Sequence, residues 1–214
     1  MVPAIAIVGS SGIGKTSLVE RLIVEFKNRG MRVAAVKHSH GKIELDKAGK
    51  DSWRFAEAGS DITVVSSTDN LVCIKNVDSD SSIAEILRLI GGSVDLVLFE
   101  GFKKGNIPRI EVYREQSGSD LVCPTQILSA IATDKHLDVD VPQIPLNETK
   151  QIADFIEQNV LNLKGTTTSL FINGKQVFIK PFVQDIISEA LLAMVATLKD
   201  VVEIKNLDIS IRKI

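Results

Sequence analysis

Apolar residues recur along this chain in two rhythms. Short runs rich in β-branched residues, Ala4 to Val8, Arg32 to Val36, Ile62 to Ser66, Leu71 to Lys75, Val94 to Phe99, Ile110 to Tyr113 and Ile127 to Ala132, predict strands. Between them the period lengthens. Leu18, Val19, Leu22, Ile23 and Phe26 share one helical face that stops at Gly30, and a second helix is predicted from Ser82 to Ile90, closed by Gly91 and Gly92. A third, near residues 148 to 162, places Ile152, Phe155, Ile156 and Val160 on one stripe. Strands alternating with helices predict an α/β domain over residues 1–164, with a mostly parallel sheet covered by helices.

The pattern changes after Gly165. Leu170 to Ile172 and Gln176 to Ile179 flank Asn173-Gly174, a pair that tolerates the positive φ values of a type I′ turn and predicts a hairpin. Ile187, Leu191, Met194 and Leu198 then recur at helical spacing, and Leu207, Ile209 and Ile211 alternate as a strand. Residues 165–214 are therefore expected to form a small C-terminal ββαβ module.

Composition narrows the function classes. With 25 Lys and Arg against 27 Asp and Glu among 214 residues, the formal charge is −2, so there is no basic surplus for nucleic-acid phosphates or an anionic membrane. Apolar residues make up 44% of the chain, yet every apolar run is far shorter than the ~18 residues that span a bilayer. The first residues carry no cationic leader and read as a strand, so a cytoplasmic protein is expected. Cys73 and Cys123 have no CxxC spacing and are expected as two buried small hydrophobes in a reducing compartment.

The sharpest chemical signal is Gly9-Ser10-Ser11-Gly12-Ile13-Gly14-Lys15-Thr16, followed by Ser17, a full match to the phosphate-binding loop G-x-x-x-x-G-K-[ST]. Its glycines let the backbone curl so that successive N–H groups face phosphate oxygens, and the following helix offers its positive N-terminus. In that chemistry Lys15 reaches the β and γ phosphates and the Thr16 hydroxyl ligates Mg²⁺. The loop directly follows an apolar strand and opens an amphipathic helix, the context such a site requires.

A nucleotide site also needs a carboxylate at the end of a neighbouring strand. Glu100 closes the apolar run Leu96-Val97-Leu98-Phe99, at the carboxyl edge where open α/β sheets bind ligands, and is the candidate to share the Mg²⁺ shell or orient a water. Asp95, at the other end of that run, is expected to be a solvated strand start. The stretch from Lys37-His38-Ser39-His40-Gly41 through Asp46 to Asp51 would emerge at the same edge, as a loop sensing the γ-phosphate with Asp46 or Asp51 near the metal. His38 and His40, without a third ligand nearby, make a weak case for a transition metal.

Taken together, the loop at 9–16, Lys37-His38-x-His40, Asp46-x-x-Gly49-Lys50-Asp51-Ser52 with Arg54 and Ala58-Gly59, and Glu100-Gly101-Phe102-Lys103 resemble the MobB family of molybdopterin-guanine dinucleotide biosynthesis adapter proteins. The resemblance covers about residues 1 to 163 and implies a P-loop protein that binds GTP with Mg²⁺. It further implies a homodimer that assists a partner molybdopterin guanylyltransferase in attaching GMP to molybdopterin. The C-terminal module lies outside the family pattern.

The Asn-Lys-x-Asp motif that reads guanine in many GTP-binding proteins is absent. Asp134, in Ala132-Thr133-Asp134-Lys135 after the late strand, stands where a base-reading loop belongs and is the candidate reader. Arg54, Arg109 and Arg114 lie in loops or at strand ends with no motif around them, so no arginine finger is expected in cis and hydrolysis should be slow. Two other readings keep the same scaffold. A small-molecule kinase would close an arginine-rich lid, and no arginine cluster occurs; a non-catalytic module would have no need for the intact Lys15 and Thr16.

Overall fold

The computed structural model describes residues 2–39, 41, 49–117, 120–161, 168–204 and 206–212. His40, Asp46 and the expected module boundary at 164/165 lie outside the described residues. The chain groups into two compact units, Met1–His38 with Ile83–Ile214, and Ser39–Ser82.

The first unit begins with β1 (Ala4–Val8), whose five residues are all buried. It continues through α1 (Lys15–Asn28) and β2 (Val33–Lys37). Gly30 ends α1 as the sequence predicts: at φ 80° it turns the chain left-handed, its N–H donates to the Lys27 carbonyl at 3.0 Å, and the Met31 N–H donates to the Phe26 carbonyl at 3.0 Å.

The second unit holds α2 (Asp51–Glu57) and an antiparallel pair, β3 (Ile62–Ser66) with β4 (Leu71–Lys75), in register Ile62 with Lys75 and Ser66 with Leu71. Both strands occupy their predicted residues, but they pair only with each other and take no part in the parallel sheet. The four-residue connection makes their own pairing antiparallel, because parallel partners need a crossover of a dozen residues or more. The turn is tied by Ser67, whose hydroxyl accepts from the Asn70 N–H at 3.0 Å.

Back in the first unit, α3 (Ile83–Ile90), β5 (Leu96–Glu100), β6 (Arg109–Tyr113), β7 (Ala130–Thr133), β8 (Gln143–Pro145) and α4 (Thr149–Ile156) complete a six-stranded sheet. Its order is β2-β5-β1-β6-β7-β8 and every pairing is parallel. β8 is absent from the sequence expectation because it is three residues long with prolines at 142 and 145, a composition tolerated only at a sheet edge.

The apolar runs alternate between two covered faces. Ile5, Ile7, Leu96, Leu98, Ile110 and Val112 pack with Leu18, Leu22 and Phe26 of α1 and with Ile152 and Ile156 of α4. Ala4, Ala6, Val8, Val97 and Phe99 face the other way, toward Leu87 of α3 and Cys123. Covering on both faces is why these strands read as near-continuous hydrophobic runs. Polar contacts clamp α1 to α4: Arg29 Nη1 lies 2.7 Å from both Asp154 Oδ1 and Glu157 Oε2. Burial disfavours the charge of this guanidinium, but its hydrogen bonds to Glu25, Asp154 and Glu157 together outweigh burial and raise its already high pKa.

The tail begins with β9 (Leu170–Ile172) and β10 (Lys175–Val177), joined by Asn173 at φ 51° and Gly174 at φ 82°, the double positive-φ turn that Asn-Gly predicts. α5 (Pro181–Ala196) follows, with proline at its start. The final strand expected at Leu207, Ile209 and Ile211 does not form; these residues pair with no strand among the described residues. Alternation assigns faces, but a strand also needs a free edge in register. Cys123 is buried, whereas Cys73, on β4 of the hairpin, is exposed and corrects the expectation of two buried cysteines. No helix among the described residues is long and apolar enough to cross a membrane.

Candidate functional site

Residues 9–14 link β1 to α1 and curl over the carboxyl end of the sheet. Gly9 sits at φ 140°, and a Cβ there would come within 2.7 Å of the Val112 carbonyl oxygen, so glycine is required both by conformation and by space. Gly14, at φ 100°, caps α1 without any side-chain hydrogen bond, so no capping side chain competes for the amides of its first turn. Ile13 is buried in the core with Leu18 and anchors the loop from below. Ser11, Thr16 and Ser17 face solvent.

The Lys15 ammonium folds back over the loop, donating to the carbonyls of Ser10 at 2.6 Å and Gly9 at 3.2 Å. Burial lowers its pKa from the usual 10.5; Glu100 works against that shift, and the ammonium groups of Lys103 and Lys37 add to it. Lys15 is therefore a partly desolvated cation in a ring of charges, which strengthens its attraction for a multiply charged anion.

Glu100 closes β5 between Ile7 of β1 and Lys37 of β2, its register partners. Its Oε1 accepts from the Thr16 hydroxyl at 2.9 Å and lies 3.4 Å from Lys37 Nζ. The chain beyond is locked by the Gly101 N–H on the Ile7 carbonyl and the His38 N–H on the Glu100 carbonyl, both 3.0 Å. Phe102, at φ 54°, packs its ring at a tilt against His38, centroids 4.7 Å apart, and edge-to-face against Phe99 at 4.9 Å. His38 thus helps hold the turn after Glu100. Asp95 lies at the opposite end of β5, paired with Arg32 at 2.8 Å, as expected for a strand start.

On the other flank of β1, Arg114 leaves β6 and reaches the loop. Its Nε donates to the Ile13 carbonyl at 3.1 Å, and its Nη1 lies 3.8 Å from Asp134 Oδ2. Asp134, one residue past β7, also accepts the Glu115 N–H through Oδ1 at 2.9 Å. The sequence shows Arg114 only as a strand-end arginine without a motif. Its useful signal is topological: β6 neighbours β1, so the residue after β6 lies beside the loop after β1. Arg109 is buried instead, donating to the Gly105 carbonyl, and Arg54 pairs with Asp51 at 3.4 Å within the second unit. Asp51, one alternative to Asp46 at the metal, opens α2 in that unit.

The structure thus brings Lys15, Thr16, Glu100 and Lys37 together. A hydroxyl and a carboxylate oxygen 2.9 Å apart are hard donors of the kind Mg²⁺ takes alongside phosphate oxygens, so the residues present fit that ion.

Residues 4–134 match the family model described as MobB, molybdopterin guanine dinucleotide synthesis protein B. A molybdopterin-guanine dinucleotide biosynthesis adapter protein from Haemophilus influenzae is 38% identical, the match spanning 73% of this chain and 88% of that one. A putative adapter protein of the same description from Methanocaldococcus jannaschii is 27% identical and matches over 97% of this chain and 96% of its own. Among solved structures, a crystal structure of molybdopterin-guanine biosynthesis protein B superposes with a TM-score of 0.56 at 27% identity, over 72% of this chain and 97% of that one.

Proposed function

The chain belongs to the MobB family of molybdopterin guanine dinucleotide synthesis proteins, and we propose that it is a GTP-binding adapter in molybdenum cofactor biosynthesis. In this reading GTP, with Mg²⁺, occupies the loop at residues 9–16, and the protein assists a partner guanylyltransferase in attaching GMP to molybdopterin in the cytoplasm. The observation that carries it is the hydrogen bond from Thr16 to Glu100, which joins the phosphate loop to the end of β5.

Each group has a task derived from its place. The amides of residues 9–14 and the start of α1 receive phosphate oxygens. Lys15 exchanges its contacts with the Gly9 and Ser10 carbonyls for the β and γ phosphates, a charge-assisted replacement for neutral acceptors. Thr16 and Glu100 would hold Mg²⁺, which when bound would neutralise phosphate charge. Glu100, partly buried, also orients a water on the outer side of the site, while Asp134 reads the base. Hydrolysis is slow, because Arg114 is engaged by Ile13 and Asp134 instead of being extended over the phosphates.

A homodimer is supported by apolar side chains left exposed in the chain alone: Ile62, Val64 and Leu71 on the β3–β4 hairpin, and Phe178, Phe182 and Met194 in the tail.

Calorimetric titration of the full chain with GTP and Mg²⁺ tests the reading. Binding in the micromolar range or tighter is expected, and Lys15→Ala should abolish it while leaving the circular dichroism spectrum intact. A variant that binds GTP within a few-fold of the parent would show that the loop is not the site.

A further inference from the structure

We propose that Lys37 is a second phosphate-binding lysine, one that engages the terminal phosphate of a nucleoside triphosphate and makes this protein distinguish the triphosphate from the diphosphate. The inference rests on the nucleotide-binding reading above and assigns a discriminating group to the same site.

Three observations converge on it. The first is register: Lys37 ends β2 opposite Glu100, and Glu100 ends β5 opposite Ile7 of β1, which runs into the phosphate loop. Parallel pairing therefore delivers the Lys37 side chain to the carboxyl edge on the Glu100 flank of the loop. The second is sharing. Lys37 Nζ lies 3.4 Å from Glu100 Oε1, the same oxygen that accepts the Thr16 hydroxyl. In phosphate-loop proteins this hydroxyl and this carboxylate mark the side on which the β and γ phosphates lie. The ammonium is thus stationed where the last phosphate of a bound triphosphate would lie.

The third observation is that the side chain is free to move while its backbone is not. Lys37 is 64% exposed at the side chain, whereas its peptide is fixed by the β2–β5 ladder and by the His38 N–H on the Glu100 carbonyl. The pair is long, at 3.4 Å, and solvent reaches its Lys37 end although the Glu100 side chain is mostly covered, so it holds the ammonium only weakly. A terminal phosphate carries more than one negative charge and offers stronger charge-assisted bonds, so transfer of the ammonium from Glu100 to phosphate is downhill. A compact ammonium on a flexible four-carbon stem suits such a transfer.

The charge inventory leaves room for this role. Lys15 serves the β and γ phosphates together, and Arg114 is held on the β6 flank by the Ile13 carbonyl and Asp134. Lys103 and Lys37 are the other cations that act on Lys15, and of the two it is Lys37 whose ammonium lies 3.4 Å from Glu100 Oε1. A diphosphate has no group at that position, so its affinity should not depend on Lys37.

The test is calorimetry on the full chain with Mg²⁺, using GTP, a non-hydrolysable GTP analogue and GDP against the parent, Lys37→Ala, Lys37→Gln and Lys37→Arg. The expected result is about a tenfold loss of GTP and analogue affinity in the Ala and Gln variants, with GDP affinity within about twofold of the parent. The Arg variant should retain most of the GTP affinity. Equal losses for GTP and GDP, or no loss for either, would overturn the role of Lys37 while leaving nucleotide binding standing. A parent that binds no nucleotide would overturn the underlying reading and this inference with it. Thermal melts of the variants distinguish lost contacts from lost fold, and the Gln variant, which keeps most of the stem, carries the test if Ala destabilises β2.

Discussion

The Thr16 hydroxyl donates to Glu100 Oε1 at 2.9 Å, a contact between residues 84 positions apart in sequence. It ties the start of α1 to the end of β5, and it makes Glu100 part of the phosphate-loop assembly. Glu100→Gln keeps the shape and the hydrogen bond but removes the charge. Hydrolysis should fall by roughly 10²-fold or more while GTP affinity changes by less than tenfold, because the missing charge matters most as transition-state charge develops. Single-turnover phosphate release beside calorimetry reads both quantities. An unchanged kcat would make Glu100 a bystander.

Asp134 holds the Glu115 N–H with one oxygen and lies 3.8 Å from Arg114 with the other, yet it remains partly exposed beyond β7. As the base reader it would accept two N–H groups that guanine offers and adenine lacks. GTP should then be preferred over ATP by at least about tenfold, or ~1.4 kcal/mol. Asp134→Asn should erode that preference. Competition titrations check this, and equal affinity for GTP and ATP in the parent would refute the assignment.

Glu111 is a buried carboxylate on β6, accepting the N–H groups of Val122 at 2.6 Å and Cys123 at 3.1 Å. Glu111→Ala strands both donors, and the loss should be about 2 to 4 kcal/mol in urea denaturation, since each unsatisfied buried group costs roughly 1 to 3 kcal/mol. Burial raises the pKa of this carboxyl above its usual 4.5, partly offset by the Val122 and Cys123 N–H groups and by the Lys103 charge. The folded state therefore binds the proton more tightly than the unfolded state. That contribution to stability is fully present below pH 4.5 and is lost as pH rises through the raised folded value. Relative to Glu111→Gln, the parent should lose stability over that interval; a constant difference across it would show that Glu111 does not titrate as described.

The tail is small for an independent core, and α5 leaves Phe182, Ile186 and Met194 exposed. Truncation after residue 164 should leave nucleotide affinity within a few-fold of the full chain but change the mass or solubility seen by light scattering. If the oligomeric state, solubility and partner binding are all unaltered, the tail has no role in association.

Sequence alone determined the elements whose causes are local. β1, the glycine loop and α1 were legible because an apolar run, a glycine spacing and a helical stripe each act within a few residues. Gly30 and Asn173-Gly174 were legible for the same reason, since positive φ at those positions belongs to the residues themselves. Glu100 could be placed at a strand end, but not against Thr16.

Tertiary structure decided what depends on neighbours. Strand order places β6 beside β1 and thereby puts Arg114 on the Ile13 carbonyl, although nothing around Arg114 in sequence marks it. Register sets Lys37 opposite Glu100. The same apolar alternation yields an isolated hairpin at residues 62–75 and no strand at Leu207 to Ile211. Side-chain pattern specifies which face is buried, whereas backbone hydrogen bonding between distant segments specifies which edge a strand finds, and only the folded chain brings those edges together.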